Sequence, residues 1–177
     1  GFKTLVTTRQ WNAERGGVYV AVGEHTQPNP YLKHPRRDLR TVDGQALTMV
    51  NPAFMTRMIS EMTRLSQGLS FRSTSLSPVN PGNAPDGWER DALSRITRPD
   101  SEIAALTESA DGRLVFRYLA PLWVTEECLD CHREQGYKVG DLRGGISISQ
   151  DYAPFIAAAA PSEQTSILAH AGVFLLL

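Results

Sequence analysis

Two cysteines and a histidine stand close together in the stretch CLDCHREQGYKVGDLRGG, which covers residues 128–145. Cys128, Cys131 and His132 form the pattern CxxCH, which is typical of c-type haem attachment. Two thiols at this spacing can each add across one vinyl group of a porphyrin, while the imidazole that follows reaches the iron as an axial ligand. The pattern uses both cysteines of the chain, so it predicts one covalent haem c with His132 as a metal ligand.

Other interpretations of this motif fit less well. A structural zinc site usually needs a second pair of cysteines or histidines, and no second cysteine pair is present. A thioredoxin-like dithiol lies at the start of a helix in a βαβ unit, which the surrounding sequence does not resemble. A disulfide across two intervening residues would be strained. Because c-type haem is attached on the oxidising side of the membrane, the motif also predicts an exported, periplasmic domain.

The second axial ligand of such an iron is left open by the sequence. Met55, Met58 and Met62 are spaced by three and four, so they share one face of a helix and fit a core stripe as well as a ligand set. A thioether ligand would raise the reduction potential, two histidines would lower it, and an open position would admit small molecules. The candidates are His25, His34, Met49, Met55, Met58 and Met62.

Arginines are candidates for pairing with the carboxylates of a haem, because the guanidinium fork matches a carboxylate. A solvated surface is the alternative for each of them. Among these arginines we take Arg57 and Arg72 as cofactor-binding residues. The full set is Arg57, Arg64, Arg72, Arg117 and Arg143.

The composition limits the class of protein. A chain of 177 residues with 41% hydrophobic and 21% charged residues is long enough for one folded domain and too short for two ordinary ones. The net charge of −1 offers no basic field, so nucleic acid is not expected as a partner. No nucleophile with a paired base, phosphate loop or carboxylate pair indicates catalysis, so we expect no enzyme activity.

The local sequence predicts a single α+β domain over residues 1–160. A helix is expected at 2–13, and another at 52–67, where Asn51 and Pro52 form an N-cap and first-turn pair. The cysteine motif is predicted to be an insertion between two strands of one antiparallel sheet of about five strands. The extended runs are VYVAV, LSFRSTSLS, EIAALTES, LVFRYLAPLWV and LRGGISIS, with an Asp-Gly hairpin turn between the third and the fourth.

The other segments connect or extend this domain. Three prolines predict an irregular loop over residues 26–37, and Asp86 is a candidate N-cap for a short helix. Residues 161–177 become abruptly apolar. They are expected to begin a truncated transmembrane helix, with a terminal helix packed on the domain as the alternative.

Several ordered blocks of the sequence resemble one known family. The blocks are NPAFMTRMISEM, FRSTSLSPVNPGNAPDGWER, RYLAPLWVTEECLDCH and QGYKVGDLRGGISIS, within about residues 10–155. They are similar to the periplasmic c-haem sensor domains that precede bacterial histidine kinases, chemoreceptors and cyclic-di-GMP enzymes. The resemblance implies a PAS-like fold with a long N-terminal helix and a C-terminal helix, a tether to the inner membrane and a homodimer. It also implies a redox or small-molecule signal, and an output activity in a separate cytoplasmic module.

The resemblance assigns roles to individual residues. Cys128 and Cys131 match the thioether positions of that family, and His132 matches the proximal iron ligand. Met55, in the block NPAFMTR, is the preferred distal ligand by position.

Two other functions remain open at this point. One is a monohaem c-type cytochrome that acts only as an electron carrier. The other is a binding module in which the haem is structural and an organic ligand lies near Tyr31, Arg72 and Arg117.

Overall fold

The structure, a computed structural model, describes residues 2–67 and 69–159, without the side chains of residues 66 and 67. The expectation for residues 161–177 therefore concerns a segment outside the described residues. The predicted α+β class is confirmed, because helices combine with antiparallel sheets. The helices are α1 (Phe2–Glu14), α2 (Pro52–Gln67), α3 (Gly87–Arg95) and α4 (Leu129–His132), and the strands are β1 (Val18–Ala21), β2 (Asp38–Arg40), β3 (Ala46–Val50), β4 (Leu69–Thr74), β5 (Ile103–Glu108), β6 (Leu114–Trp123) and β7 (Leu142–Asp151).

The described strands form two sheets, where the sequence predicts one sheet of about five strands. The three-stranded sheet has the order β1-β3-β2, and the four-stranded sheet has the order β4-β7-β6-β5. The sequence pattern misses β2 and β3. All three residues of β2 are exposed, so this strand has no apolar and polar alternation to mark it.

Local signals set the starts of α2 and α3 as predicted. The side-chain oxygen of Asn51 accepts a hydrogen bond from the backbone N–H of Phe54 at 3.0 Å, which caps α2. Asp86 caps α3 and forms a reciprocal capping box with Glu89. These caps determine where α2 and α3 begin.

The buried core lies between α3 and the four-stranded sheet. Ala92, Leu93 and Ile96 of α3 pack against Leu119 of β6, and all four are buried. Since β6 and β7 are the middle strands of this sheet, the segment that connects them is held by a rigid frame at both ends.

The chain continues beyond β7 into a last helix, which begins at residue 153 and is described as far as residue 159. The C-terminal helix expected over residues 161–177 lies outside the described residues and stays a prediction. Among the described helices, none has both the length and the hydropathy needed to cross a bilayer.

Candidate functional site

The cysteine motif forms a compact insertion between β6 and β7, as predicted. Residues 126–135 wind through three short helical turns, and Gly136 ends the last of them with a φ of 83°. The base of the insertion is closed by two backbone hydrogen bonds of 2.9 Å, from Val124 N–H to Asp141 O and from Gly140 N–H to Val124 O. The motif is therefore held against the two central strands of the sheet.

Cys131 and His132 open onto a cavity of about 920 Å³. Its walls come from the proline-rich loop at 29–36, the first turns of α2, the end of β4, the motif and the start of β7. Small-molecule and cofactor sites usually measure about 300–1,000 Å³. The cavity is thus large enough for a sizeable organic cofactor.

The His132 imidazole has a hydrogen-bond partner at one of its two ring nitrogens. Its Nδ1 atom lies 2.6 Å from the amide oxygen of Gln135, so Nδ1 carries the hydrogen and Nε2 keeps its lone pair. The pKa of His132 is lowered, chiefly by burial and then by the charge of Arg143. The hydrogen bond to Gln135 acts in the opposite direction, and the charge of Arg9 adds a smaller lowering. The neutral ring is the form that ligates metals.

The two cysteines are free thiols. The Sγ atom of Cys128 lies 3.4 Å from the hydroxyl oxygen of Thr125. Burial, the charge of Asp130 and the neighbouring Cys128 raise the pKa of the Cys131 thiol. Nucleophilic dithiols have a lowered thiol pKa, so this arrangement does not favour the redox-dithiol interpretation.

The cavity wall is basic. Six cationic side chains and two carboxylates lie among its described lining residues, in addition to His34 and His132. Such a surplus of positive charge favours a ligand that carries carboxylates or phosphates. The cations are Arg9, Lys33, Arg36, Arg57, Arg133 and Arg143, and the carboxylates are Asp130 and Glu134.

Comparison with known proteins places the chain in a family. The family model described as Tll0287-like, Tll0287, matches residues 5–150. The chain belongs to the Tll0287-like family. The resemblance predicted from the sequence blocks is thereby confirmed at the level of the family.

A solved structure and the curated proteins complete this comparison. The Tll0287-like fold of the chain is similar to the crystal structure of the cyanobacterial haem protein Tll0287, with a TM-score of 0.53 and 17% sequence identity. The similarity covers 85% of this chain and 89% of the solved one. A search of the curated proteins found no match.

Within this Tll0287-like fold, the two predicted arginines lie in different surroundings. Arg57 lines the large cavity, and its guanidinium lies 4.8 Å from the ring centroid of Phe54. Arg72 lies outside the wall of the large cavity, in a smaller neighbouring pocket of about 270 Å³. It is 3.6 Å from the carboxylate of Glu89, so it has an acidic partner already.

Met55 also lies outside the wall of the large cavity. Its sulfur is 4.0 Å from the side-chain nitrogen of Asn12, so the side chain faces α1. Successive residues of a helix are rotated by about 100°, and the cavity receives Phe54 and Arg57 of α2 instead. The structure therefore does not bring the preferred distal residue next to His132.

His34 is the candidate second ligand that lines the cavity together with His132. Its Nδ1 atom accepts a hydrogen bond from the backbone N–H of Arg36 at 3.2 Å, which leaves the hydrogen on Nε2. Met49 is buried beside Gly17, and His25 is exposed. Of the six candidates, all within the described residues, none of the other five contributes to the cavity wall.

Arg9 is a cavity residue that the sequence does not reveal. It lies on α1, forty-three residues before the first turn of α2, whose Pro52 carbonyl it contacts at 2.8 Å. The only local signal is its spacing of three from the buried Asn12, which places two polar residues on one face of α1.

Proposed function

We propose that the chain is a periplasmic sensor domain with one covalent haem c. In this proposal Cys128 and Cys131 form the thioether bonds and His132 is the axial iron ligand. The observation that carries the proposal is the juxtaposition of Cys131 and the free Nε2 lone pair of His132 at the edge of one large cavity.

The residues at this cavity fit a haem in three ways. The volume is sufficient, the imidazole is held in its ligating form by Gln135, and the basic wall suits two propionates. The name of the related cyanobacterial protein, a haem protein, adds support. A haem bound here would supply a redox-active iron with one open or exchangeable coordination position.

Two of the candidate distal residues favour a sensor role over electron transfer. The thioether of Met55 faces α1, and the imidazole of His34 offers an N–H donor instead of a lone pair. Such a donor is suited to a small molecule bound to iron or to exchange of the sixth ligand. The proposed signal is accordingly a redox change or a small ligand.

Further parts of the proposal rest on the family resemblance. They are a tether to the inner membrane, a homodimer and an output activity in a cytoplasmic module, with no catalysis in this domain. An extracytoplasmic location follows from the covalent haem, since its attachment takes place outside the cytoplasm.

Haem attachment is tested by expressing the chain together with a c-type cytochrome maturation system. The expected product keeps its haem after denaturation and gives the pyridine haemochrome spectrum of haem c. Cys128→Ser and Cys131→Ser should each weaken this attachment, while His25→Gln is the matched control at an exposed histidine. A protein that carries no haem, or only removable haem, would refute the proposal.

The sensor role is tested by the optical spectrum of the reduced haem protein with and without CO. A shift of the Soret band on addition of CO at ordinary concentrations indicates an open or exchangeable position. A six-coordinate spectrum that CO does not change would instead assign the chain to the electron carriers.

A further inference from the structure

Arg9 is a cation enclosed at the cavity wall. The stem of the residue is partly exposed, but its guanidinium is buried, and burial lowers the pKa of Arg9 to about 10. Its Nη1 atom donates to the carbonyl of Pro52 at 2.8 Å and to the hydroxyl of Thr56, and lies 3.5 Å from the hydroxyl of Ser73. All of these acceptors are neutral.

Arg143 is a second, partly buried cation at the cavity wall, at the start of β7. Its Nη1 atom donates to the hydroxyl of Ser75 at 2.7 Å, and its guanidinium lies 5.1 Å from the ring centroid of Tyr137. Its Nε atom is buried without a hydrogen-bond partner. Arg143 and Arg9 line the same cavity, and the charge of Arg143 lowers the pKa of Arg9 further.

These two cations lack the counter-charge that burial requires. Within residues 2–67 and 69–159, no carboxylate lies within ion-pair distance of Arg9 or Arg143. Burying a charge without a counter-charge is unfavourable, so an anion from outside the chain would stabilise this arrangement.

We propose that Arg9 and Arg143 together bind a carboxylate in the cavity, and that this carboxylate is a propionate of the porphyrin. The inference rests on the proposed haem site. Guanidinium forks bind carboxylates through paired hydrogen bonds, and both arginines line the cavity onto which His132 opens. Since Arg9 belongs to α1 and Arg143 to β7, a carboxylate bound by both would connect the N-terminal helix to the central sheet.

The haem-loaded protein tests this with two measurements, hydrogen exchange of the α1 amides and the midpoint potential. Arg9→Gln should reduce the protection of α1 by about tenfold, the effect of one charge-assisted hydrogen bond. Arg9→Gln and Arg143→Gln should both lower the midpoint potential, because a nearby positive charge disfavours the ferric state. Arg15→Gln is the control, since Arg15 is an exposed arginine just beyond α1, outside the cavity wall.

A conservative variant separates the effect of the positive charge from that of the paired hydrogen bonds. Arg9→Lys keeps the positive charge but cannot form paired hydrogen bonds. It should hold the midpoint potential close to the wild-type value and recover only part of the α1 protection. A potential as low as that of Arg9→Gln would contradict a role for the charge.

The outcomes distinguish this inference from the proposed function. If covalent haem forms but Arg9→Gln changes neither measurement, the carboxylate site is refuted and the haem site stands. If α1 loosens without any change of potential, Arg9 is only a structural contact. If inorganic phosphate at constant ionic strength increases the protection of α1, the anion is a free one and not the propionate. If no haem attaches, both proposals fail.

Discussion

The Nδ1 atom of His132 lies 2.6 Å from the side-chain oxygen of Gln135, three residues further along the chain. This bond orients the imidazole and sets how strongly Nε2 can donate to an iron. Gln135→Glu should place a carboxylate on Nδ1–H, strengthen the donor and lower the midpoint potential of the haem protein. Gln135→Leu should raise it. Spectroelectrochemical titration is the measurement, with Gln27→Glu as a charge-matched control at an exposed glutamine; equal potentials in all variants would contradict the expectation.

The binding of small ligands by the haem-loaded protein is predicted to depend on His34. His34→Ala should change the spectrum of the reduced protein or its rate of CO release, because His34 lines the cavity. Met55→Leu should leave both unchanged, since the Met55 sulfur faces Asn12 of α1. If only Met55→Leu changed the spectrum or the rate of CO release, Met55 would again be the preferred distal ligand.

Glu89 is predicted to be a major determinant of stability. Its carboxylate is 1% exposed, accepts hydrogen bonds from Thr74 Oγ1 and the Asp86 N–H, and faces the guanidinium of Arg117 at 3.5 Å. Removing one partner of a buried charge pair costs about 3–5 kcal/mol. Glu89→Ala should lower the free energy of unfolding in urea by about 3 kcal/mol. Glu24→Ala, at an exposed glutamate, should change it little.

Asp86 makes the stability of the domain depend on pH. Burial acts to raise its pKa, but the backbone N–H of Glu89 and the guanidinium of Arg117 outweigh that effect and lower the pKa below its usual value. The contribution of Asp86 is therefore present above the ordinary carboxyl pKa and is lost as the pH falls through the lowered one. Asp86→Asn keeps a capping side chain, so it should flatten this acid dependence. Unfolding curves from neutral to acidic pH would detect it; an unchanged slope would exclude Asp86 as the source.

Gly144 is predicted to tolerate no side chain. Its φ is 149°, and a Cβ atom there would overlap the carbonyl oxygen of Thr74 on β4. Gly144→Ala should therefore lower the free energy of unfolding by about 3 kcal/mol. Gly140→Ala is the control, because Gly140 also has a positive φ but has open space around its Cβ position. Gly140→Ala should lower the free energy of unfolding by only about 1 kcal/mol. Equal losses would show that the contact with β4 is not the cause.

The features predicted best are those that depend on neighbouring residues. Asn51 and Pro52 mark the start of α2 because a cap is formed within one turn. The position of the CxxCH motif between two strands follows from the hairpin before it and the LRGGISIS run after it. In each case the interacting groups are close in sequence.

The features that were missed depend on contacts between distant segments. The spacing of Met55 and Arg57 places them on α2, but the packing of α1 decides which of them turns toward the cavity. Arg9 is another example, since its acceptors lie on α2 and β4. The exposed strand β2 pairs with β3 through backbone hydrogen bonds, which leave no side-chain signature.

Strand β7 connects two ends of the domain without an intervening loop. It begins at Leu142, next to the cavity residues Arg143 and Gly144, and ends at Asp151, two residues before the last helix begins. It pairs with β6 along its length and with β4 over residues 145–150. Ten residues of strand span about 33 Å. Over residues 145–150, hydrogen bonds on both edges make the strand resist bending. A displacement of the strand at the cavity would therefore also move the beginning of the last helix, at the other end of that length.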